Sequence, residues 1–146
     1  MNDPIPIAIQ RFEQGYSCSQ SLLYAFASQF EMGEEISNKI AAPFGGGIAR
    51  QGETCGAVTG ALMVLGLKFG PETGKSNKTI YKVSQEFLRL FQEKHSSIQC
   101  NQLIKFDINQ KEELLAAREA GVFKNVCPEL VKSAAEIVNS MLNSTL

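Results

Sequence analysis

Apolar residues recur in steps of three and four along most of this chain, the spacing of one helix face rather than the alternation of a strand. The pattern predicts an all-α fold of about five or six helices separated by glycine and polar punctuation. The first runs from Pro4 to about Gln14, with Ile5, Ala8, Ile9 and Phe12 on one face and Gly15 closing it. The second runs from Cys18 to about Phe30, with Leu22, Leu23, Phe26 and Phe30 facing inward. A short third helix, Glu34 to Ala42, ends at Pro43, and an irregular stretch follows from Phe44 to Gly52. After a further helix from Thr54 to about Phe69, the segment from about Lys75 to Lys94 places Ile80, Val83, Phe87, Leu90 and Phe91 on one side. The pattern then weakens, with helical turns expected around Cys100–Ile104 and Glu112–Ala120. Pro128 to Leu142 closes the chain, with Leu130, Ala134, Ile137, Val138 and Met141 inward.

The segment from Thr54 to Phe69 is apolar or small on nearly all sides, which marks it as the central, buried helix of a bundle. Gly56, Gly60 and Gly66 lie within it, each costing about 1 kcal/mol relative to alanine in a helix interior. Such a cost is expected where something comes close to the helix backbone.

At 146 residues the chain suits one domain, able to bury roughly two-thirds of its unfolded surface and to build a core without disulfide staples. Fourteen basic and fifteen acidic residues leave no electrostatic footprint for nucleic acid. No segment approaches the ~20 apolar residues of a membrane span. The start, Met1-Asn2-Asp3-Pro4, lacks the basic region and apolar run of a signal peptide, so a cytoplasmic location is expected. In a reducing compartment, four cysteines read as catalytic, redox-sensing or metal-binding rather than as structural cross-links.

All four cysteines fall where a helix is expected to begin. Ser17-Cys18-Ser19-Gln20 reads as a capping box with Ser17 as N-cap, and Thr54 is the expected cap beside Cys55. Cys100 lies three residues after Ser97, and Cys127 precedes Pro128, which suits the first helical position. Unpaired N–H groups and partial positive charge at a helix start favour thiolate over thiol, so this placement points to ionisable thiols, Cys18 and Cys55 above all. No C-x-x-C pair is present, which removes the thioredoxin and zinc-ribbon motifs, so the fold itself must gather the thiols. The alternative is four separate cysteines buried as small hydrophobes.

Gly45-Gly46-Gly47 is not a dinucleotide fingerprint: Arg50 stands where the third glycine belongs, and the preceding segment is helical. The run reads either as a flexible connection or as a backbone cradle. In the second case Gly52, Gly56 and the triple glycine would turn N–H groups toward a sulfur or cluster anion, with Arg50 a cation near Cys55. His95, the single histidine, sits beside Lys94 at a helix end, where it complements the C-terminal dipole. Glu34-Glu35 and Glu112-Glu113 read as solvated faces, and no helical E-x-x-H suits a di-iron site.

The chain resembles, nearly end to end, the C-GCAxxG-C-C family, bacterial and archaeal proteins described as redox-active and carrying four characteristic cysteines. Gly15-Tyr16-Ser17-Cys18-Ser19-Gln20 is similar to the family's first cysteine segment, and Phe44-Gly45-Gly46-Gly47-Ile48 followed by Cys55-Gly56-Ala57-Val58-Thr59-Gly60-Ala61-Leu62 to its central signature. Here the order is Cys-Gly-Ala-x-x-Gly where the family name writes GCAxxG. Cys100 and Cys127 take the remaining cysteine positions. The resemblance implies thiol/disulfide chemistry at Cys18, Cys55, Cys100 and Cys127, with four cysteines supplying two couples. A related module in a haem protein said to carry an iron–sulfur centre makes an iron–sulfur cluster on the four thiolates the alternative cofactor, with zinc a third choice. From another class comes a helical partner-binding protein with incidental cysteines. No sequence feature names a redox partner, and the apolar helix faces leave room for a homodimer.

Overall fold

The computed structural model describes residues 2–75 and 77–144. Its helices are α1 (Pro4–Glu13), α2 (Cys18–Ala27), α3 (Glu34–Ala41), α4 (Gly56–Phe69), α5 (Lys78–His95), α6 (Cys100–Ile104), α7 (Lys111–Glu119), α8 (Val122–Asn125) and α9 (Cys127–Asn143). Among the described residues there is no strand, only an isolated antiparallel bridge between Thr54 and Gln99. The all-α reading holds. Helices outnumber the expected five or six because the region after Cys100 breaks into short pieces, including the four-residue α8, whose length is too small for an apolar repeat to show.

Local chemistry sets most boundaries. Asp3 caps α1 by accepting from the Ile5 N–H at 3.0 Å, with Pro4 at the start of the helix. Asn77 does the same for α5 through the Ile80 N–H. Proline at 43 does not stop the chain abruptly: α3 runs into a 3-10 turn, Ala42–Phe44, that takes Pro43 into its first positions. Phe30 likewise lies in a 3-10 turn, Ser28–Phe30, rather than in α2.

The expected central helix is central. α4 packs against α2, α9 and α5, and Leu22, Leu23, Phe26, Val64, Leu65, Phe87, Phe91, Val131 and Val138 are almost wholly buried around it. The approach to α2 is close. A Cβ on Gly60 would stand 2.6 Å from the Leu22 Cβ and 3.0 Å from the Ser19 carbonyl oxygen. A Cβ on Gly56 would meet the Ser19 nitrogen at 3.0 Å and the Cys18 Cβ at 3.1 Å. Gly66 differs: nothing lies within 4 Å of its missing Cβ, so no close neighbour accounts for that glycine. α2 meets this contact with small residues, and the fully buried Ser19 hydroxyl donates to the Ala41 carbonyl at 2.9 Å.

A second apolar cluster, Ile104, Ile108, Ala117, Val122 and Cys127, lies beyond the main core. Phe12, Cys18 and Val126 touch both clusters, which places the cysteines at the seam between them. The Arg11 guanidinium lies 3.8 Å from the ring centres of both Tyr16 and Tyr24 and pairs with Glu34, tying α1, α2 and α3 together.

Candidate functional site: four thiols at one seam

The capping box at the start of α2 forms as expected. Gln20 N–H donates to Ser17 Oγ at 3.2 Å, and Ser17 N–H donates to Gln20 Oε1 at 3.1 Å, leaving Cys18 as the first helical residue. The other starts differ from expectation by a residue or more. Cys55 itself, not Thr54, is the N-cap of α4. Gln99, not Ser97, precedes α6, so Cys100 opens it; the Ser97 hydroxyl instead accepts from the Gln99 N–H at 3.0 Å. Cys127 is the first residue of α9 rather than its cap, because Val126, the last residue before it, already has helical dihedrals. All four cysteines nevertheless sit at a helix start.

Cys55 and Cys100 are brought together by the bridge that sequence reading missed. Cys55 N–H donates to the Ile98 carbonyl at 2.7 Å, and Cys100 N–H donates to the Glu53 carbonyl at 2.6 Å, on either side of Thr54–Gln99. Asn101 locks the same crossing: its N–H donates to the Gly52 carbonyl, its Nδ2 to Asp107 Oδ1, and its Oδ1 accepts from the Ile108 N–H. Such pairing of two short loops leaves no period in the sequence.

The four thiols share one site. Cys18 lies close enough to Cys127 for each to act on the other's proton and is within electrostatic reach of Cys55 and Cys100, while Cys55 and Cys100 act on each other and on Cys127. Every pair therefore interacts. All four are free thiols; Cys55 and Cys127 are buried, and Cys18 and Cys100 are partly exposed.

Their ionisation departs from expectation. Cys18 and Cys55 are not favoured as thiolates. Cys18 is pushed well above 9.0, first because it gives its hydrogen bond to Cys127, then by burial and by the other thiols. Burial raises Cys55 to about 11, against the pull of the Ala57 and Val58 N–H groups in the first turn of α4. Burial also raises Cys100, to about 12. Only Cys127 is lowered, by the Cys18 hydrogen bond, against its own desolvation. A helix terminus contributes roughly 0.3–1 kcal/mol at the surface, up to ~2 kcal/mol when partly buried, too little to offset burying three further thiolates side by side.

The glycine loop is more ordered than a flexible connection. Gly46, Gly47, Ile48, Ala49 and Arg50 all have positive φ (64°, 72°, 60°, 54° and 58°), forming one left-handed turn. For the three non-glycine residues this costs about 1–2 kcal/mol each, and Ile48, being β-branched, is the most unfavourable of them. The turn is closed by Ala49 N–H to the Pro43 carbonyl at 2.7 Å and Glu53 N–H to the Gly47 carbonyl at 2.7 Å. Gly47 lies against the site: a Cβ there would come 2.7 Å from the Cys100 Cβ.

The Gly45 and Gly52 N–H groups are spent on the Ala42 and Gly46 carbonyls, and the N–H groups acting on a sulfur come from Ala57 and Val58. Arg50 is exposed, packs over Gly46, and is not among the groups that shift Cys55. Gly45 faces Ser17, and Gly56 is the glycine that brings α4 onto Cys18. His95 does more than complement a helix end: its Nε2 is 2.8 Å from the buried Ser133 Oγ, and its ring lies 4.6 Å from that of Phe91. The donor set suits a thiolate-loving metal, but among the described residues no three His, Cys, Asp or Glu side chains are arranged to hold one. No helix among the described residues is long and apolar enough to cross a membrane.

The chain belongs to the family described as "Putative redox-active protein (C_GCAxxG_C_C)", whose profile matches residues 16–141 and so takes in all four cysteines. No curated protein and no solved structure matches the chain.

Proposed function

We propose that this chain is a thiol/disulfide redox protein whose working couple is Cys127 and Cys18. What supports the reading is the closeness of Cys18 to Cys127, which raises the proton affinity of Cys18 and favours the thiolate on Cys127, the one cysteine whose proton is loosened. The Cys127 thiolate attacks one sulfur of a substrate disulfide, that S–S bond breaks, and the first half leaves as a thiolate that takes up the Cys18 proton. Cys18 then attacks the Cys127 sulfur of the mixed disulfide, expelling the second half. The protein dithiol loses two electrons and the substrate disulfide gains them. Cys55 and Cys100, held together by the Thr54–Gln99 bridge, form the second couple. Gly56 and Gly47 serve by letting α4 and the left-handed turn close on Cys18 and Cys100.

Limited oxidation followed by alkylation of the remaining thiols and peptide mapping tests this. The first disulfide to accumulate is expected between Cys18 and Cys127; early accumulation of a different pair would refute the assignment. A second reading rests on the four cysteines lying within electrostatic reach of one another: drawn closer together than they stand here, Cys18, Cys55, Cys100 and Cys127 would hold an iron–sulfur cluster, or zinc, which would supply one-electron transfer or a closed structural site. Iron, sulfide and zinc assays on anaerobically purified protein, with its visible absorption, distinguish the two.

A further inference from the structure

Helix α3 buries its small residues and exposes its large ones. Ser37 and Ala41 are fully buried where α3 packs on α2, and the Ala41 carbonyl accepts the Ser19 hydroxyl, whereas Ile36 and Ile40 are 57% and 48% exposed. An amphipathic helix ordinarily does the reverse. The apolar strip continues past the helix. Pro43 is exposed in the following turn, and the Ile48 and Ala49 N–H groups donate to the Phe44 and Pro43 carbonyls, folding two more exposed residues back beside it. Of the five large exposed hydrophobic residues among those described, Ile36, Ile40 and Ile48 thus share one face, while Tyr81 and Leu115 lie on α5 and α7. Contiguous exposed apolar residues mark an interaction surface, whereas single ones need no explanation. Ile48 adds a second sign. It is β-branched at φ 60°, where glycine would stand without strain, yet it is left 38% exposed, so burial within the chain offsets only part of that cost.

The charges along the strip suit a second copy of it. Glu35 and Lys39 line one edge of α3, their side chains 80% and 74% exposed, and pair with each other at 2.9 Å one turn apart. In an antiparallel pairing of two α3 helices, the Glu35–Lys39 and Ile36–Ile40 pairs are centred on positions 37 and 38, so one two-fold axis serves both. Glu35 then faces Lys39 of the partner subunit and Ile36 faces the partner's Ile40, each contact occurring twice. A face of this kind is self-complementary, as an isologous dimer requires. We infer that α3 and the turn after it form a homodimer interface, in which Ile36, Ile40, Pro43 and Ile48 are covered by the same strip of a second copy. A partner of one charge sign would oppose either Glu35 or Lys39 with its own kind, whereas a second copy satisfies both. The inference is independent of the thiol chemistry: Gly47 is buried against Cys100, and the next residue, Ile48, is exposed on the outer side of the turn.

Sedimentation equilibrium of the full chain over a range of micromolar concentrations tests it, with the protein kept reduced so that no intermolecular disulfide contributes. Wild type is expected to show a monomer–dimer equilibrium. Lys39→Glu and Glu35→Lys should each weaken the dimer about tenfold or more, since like charges then face each other twice across the axis. The double variant Glu35→Lys/Lys39→Glu should recover most of the loss, because the reversed face again complements itself. Ile40→Asp should weaken the dimer at least as much, and Leu115→Asp, at a similarly exposed apolar position on α7, should leave it unchanged. Ile48→Gly should weaken the dimer while raising the stability of the diluted monomer, which separates loss of contact from loss of fold; circular dichroism checks the other variants. A chain that stays monomeric throughout overturns the inference, as does a dimer indifferent to Ile40→Asp or one lost in Leu115→Asp. A dimer indifferent to both single charge reversals, or not recovered by the double reversal, overturns the antiparallel two-fold pairing.

Discussion

Gly60→Ala and Gly66→Ala make the same chemical change in the same helix, six residues apart, and should have opposite effects. In an exposed or roomy helix position, replacing glycine by alanine gains up to about 1 kcal/mol, partly by restricting the unfolded chain. Gly66 has nothing within 4 Å of its missing Cβ, so it should show that gain. At Gly60 the added methyl would stand 2.6 Å from the Leu22 Cβ, an atom fixed by the α2 backbone, with the Ser19 oxygen and Cα at 3.0 and 3.2 Å. No rotamer change relieves this, so α2 and α4 must separate at their closest contact. Overpacking of this kind costs about 1–3 kcal/mol, and a clash with backbone-fixed atoms belongs in the upper part of that range. Subtracting the propensity gain leaves Gly60→Ala about 1–2 kcal/mol less stable than wild type. For a domain of this size roughly 2–4 °C in Tm accompanies each kcal/mol, giving a fall of about 2–8 °C for Gly60→Ala and a rise of up to about 4 °C for Gly66→Ala. Thermal and urea unfolding of the reduced protein measure both. If Gly60→Ala is as stabilising as Gly66→Ala, the close packing of α2 on α4 is refuted.

Alkaline pH should weaken the fold through Cys55 and Cys100. Their folded values, about 11 and about 12, lie above 9.0, so the unfolded chain releases these protons first and the stability present below about pH 9 is lost as pH rises through about 11–12. For the buried Cys55 this amounts to something on the order of 3 kcal/mol, and urea midpoints between pH 8 and 11 should fall less steeply in Cys55→Ala than in wild type. Cys127 works in the opposite sense, its lowered value adding stability as pH approaches 9 from below; the iodoacetamide rate at Cys127 should therefore rise at lower pH than at the other three cysteines, and coincident profiles would contradict the Cys18 hydrogen bond. Ile48→Gly removes a β-branched residue from φ 60° and should stabilise by roughly 0.5–1 kcal/mol after glycine's entropy is deducted, read as a raised urea midpoint. Arg50→Ala should leave the pH profile of cysteine alkylation unchanged; a rise in the Cys55 value would restore Arg50 as its cation.

The helices and the grouping of chemistry at their starts were legible in the chain, because both are local. A three-to-four-residue apolar repeat is satisfied by any core that the helix meets, and a Ser17–Gln20 capping box closes within one turn whatever surrounds it. The same locality explains the errors at Thr54 and Ser97. Each is a competent cap, but Thr54 is held in the bridge to Gln99 and Ser97 turns its hydroxyl to the Gln99 N–H, so the helix begins one step later in one case and elsewhere in the other. Which thiol ionises was beyond the sequence. A helix dipole is a property of the helix, whereas desolvation and a neighbouring S–H depend on what other segments bring, and at Cys18 and Cys55 these outweigh it. Gly60 and Gly66 make the same point most simply. As letters they are identical and equally costly to the helix, and only the position of α2, pressed against one and absent from the other, decides which of them the fold requires.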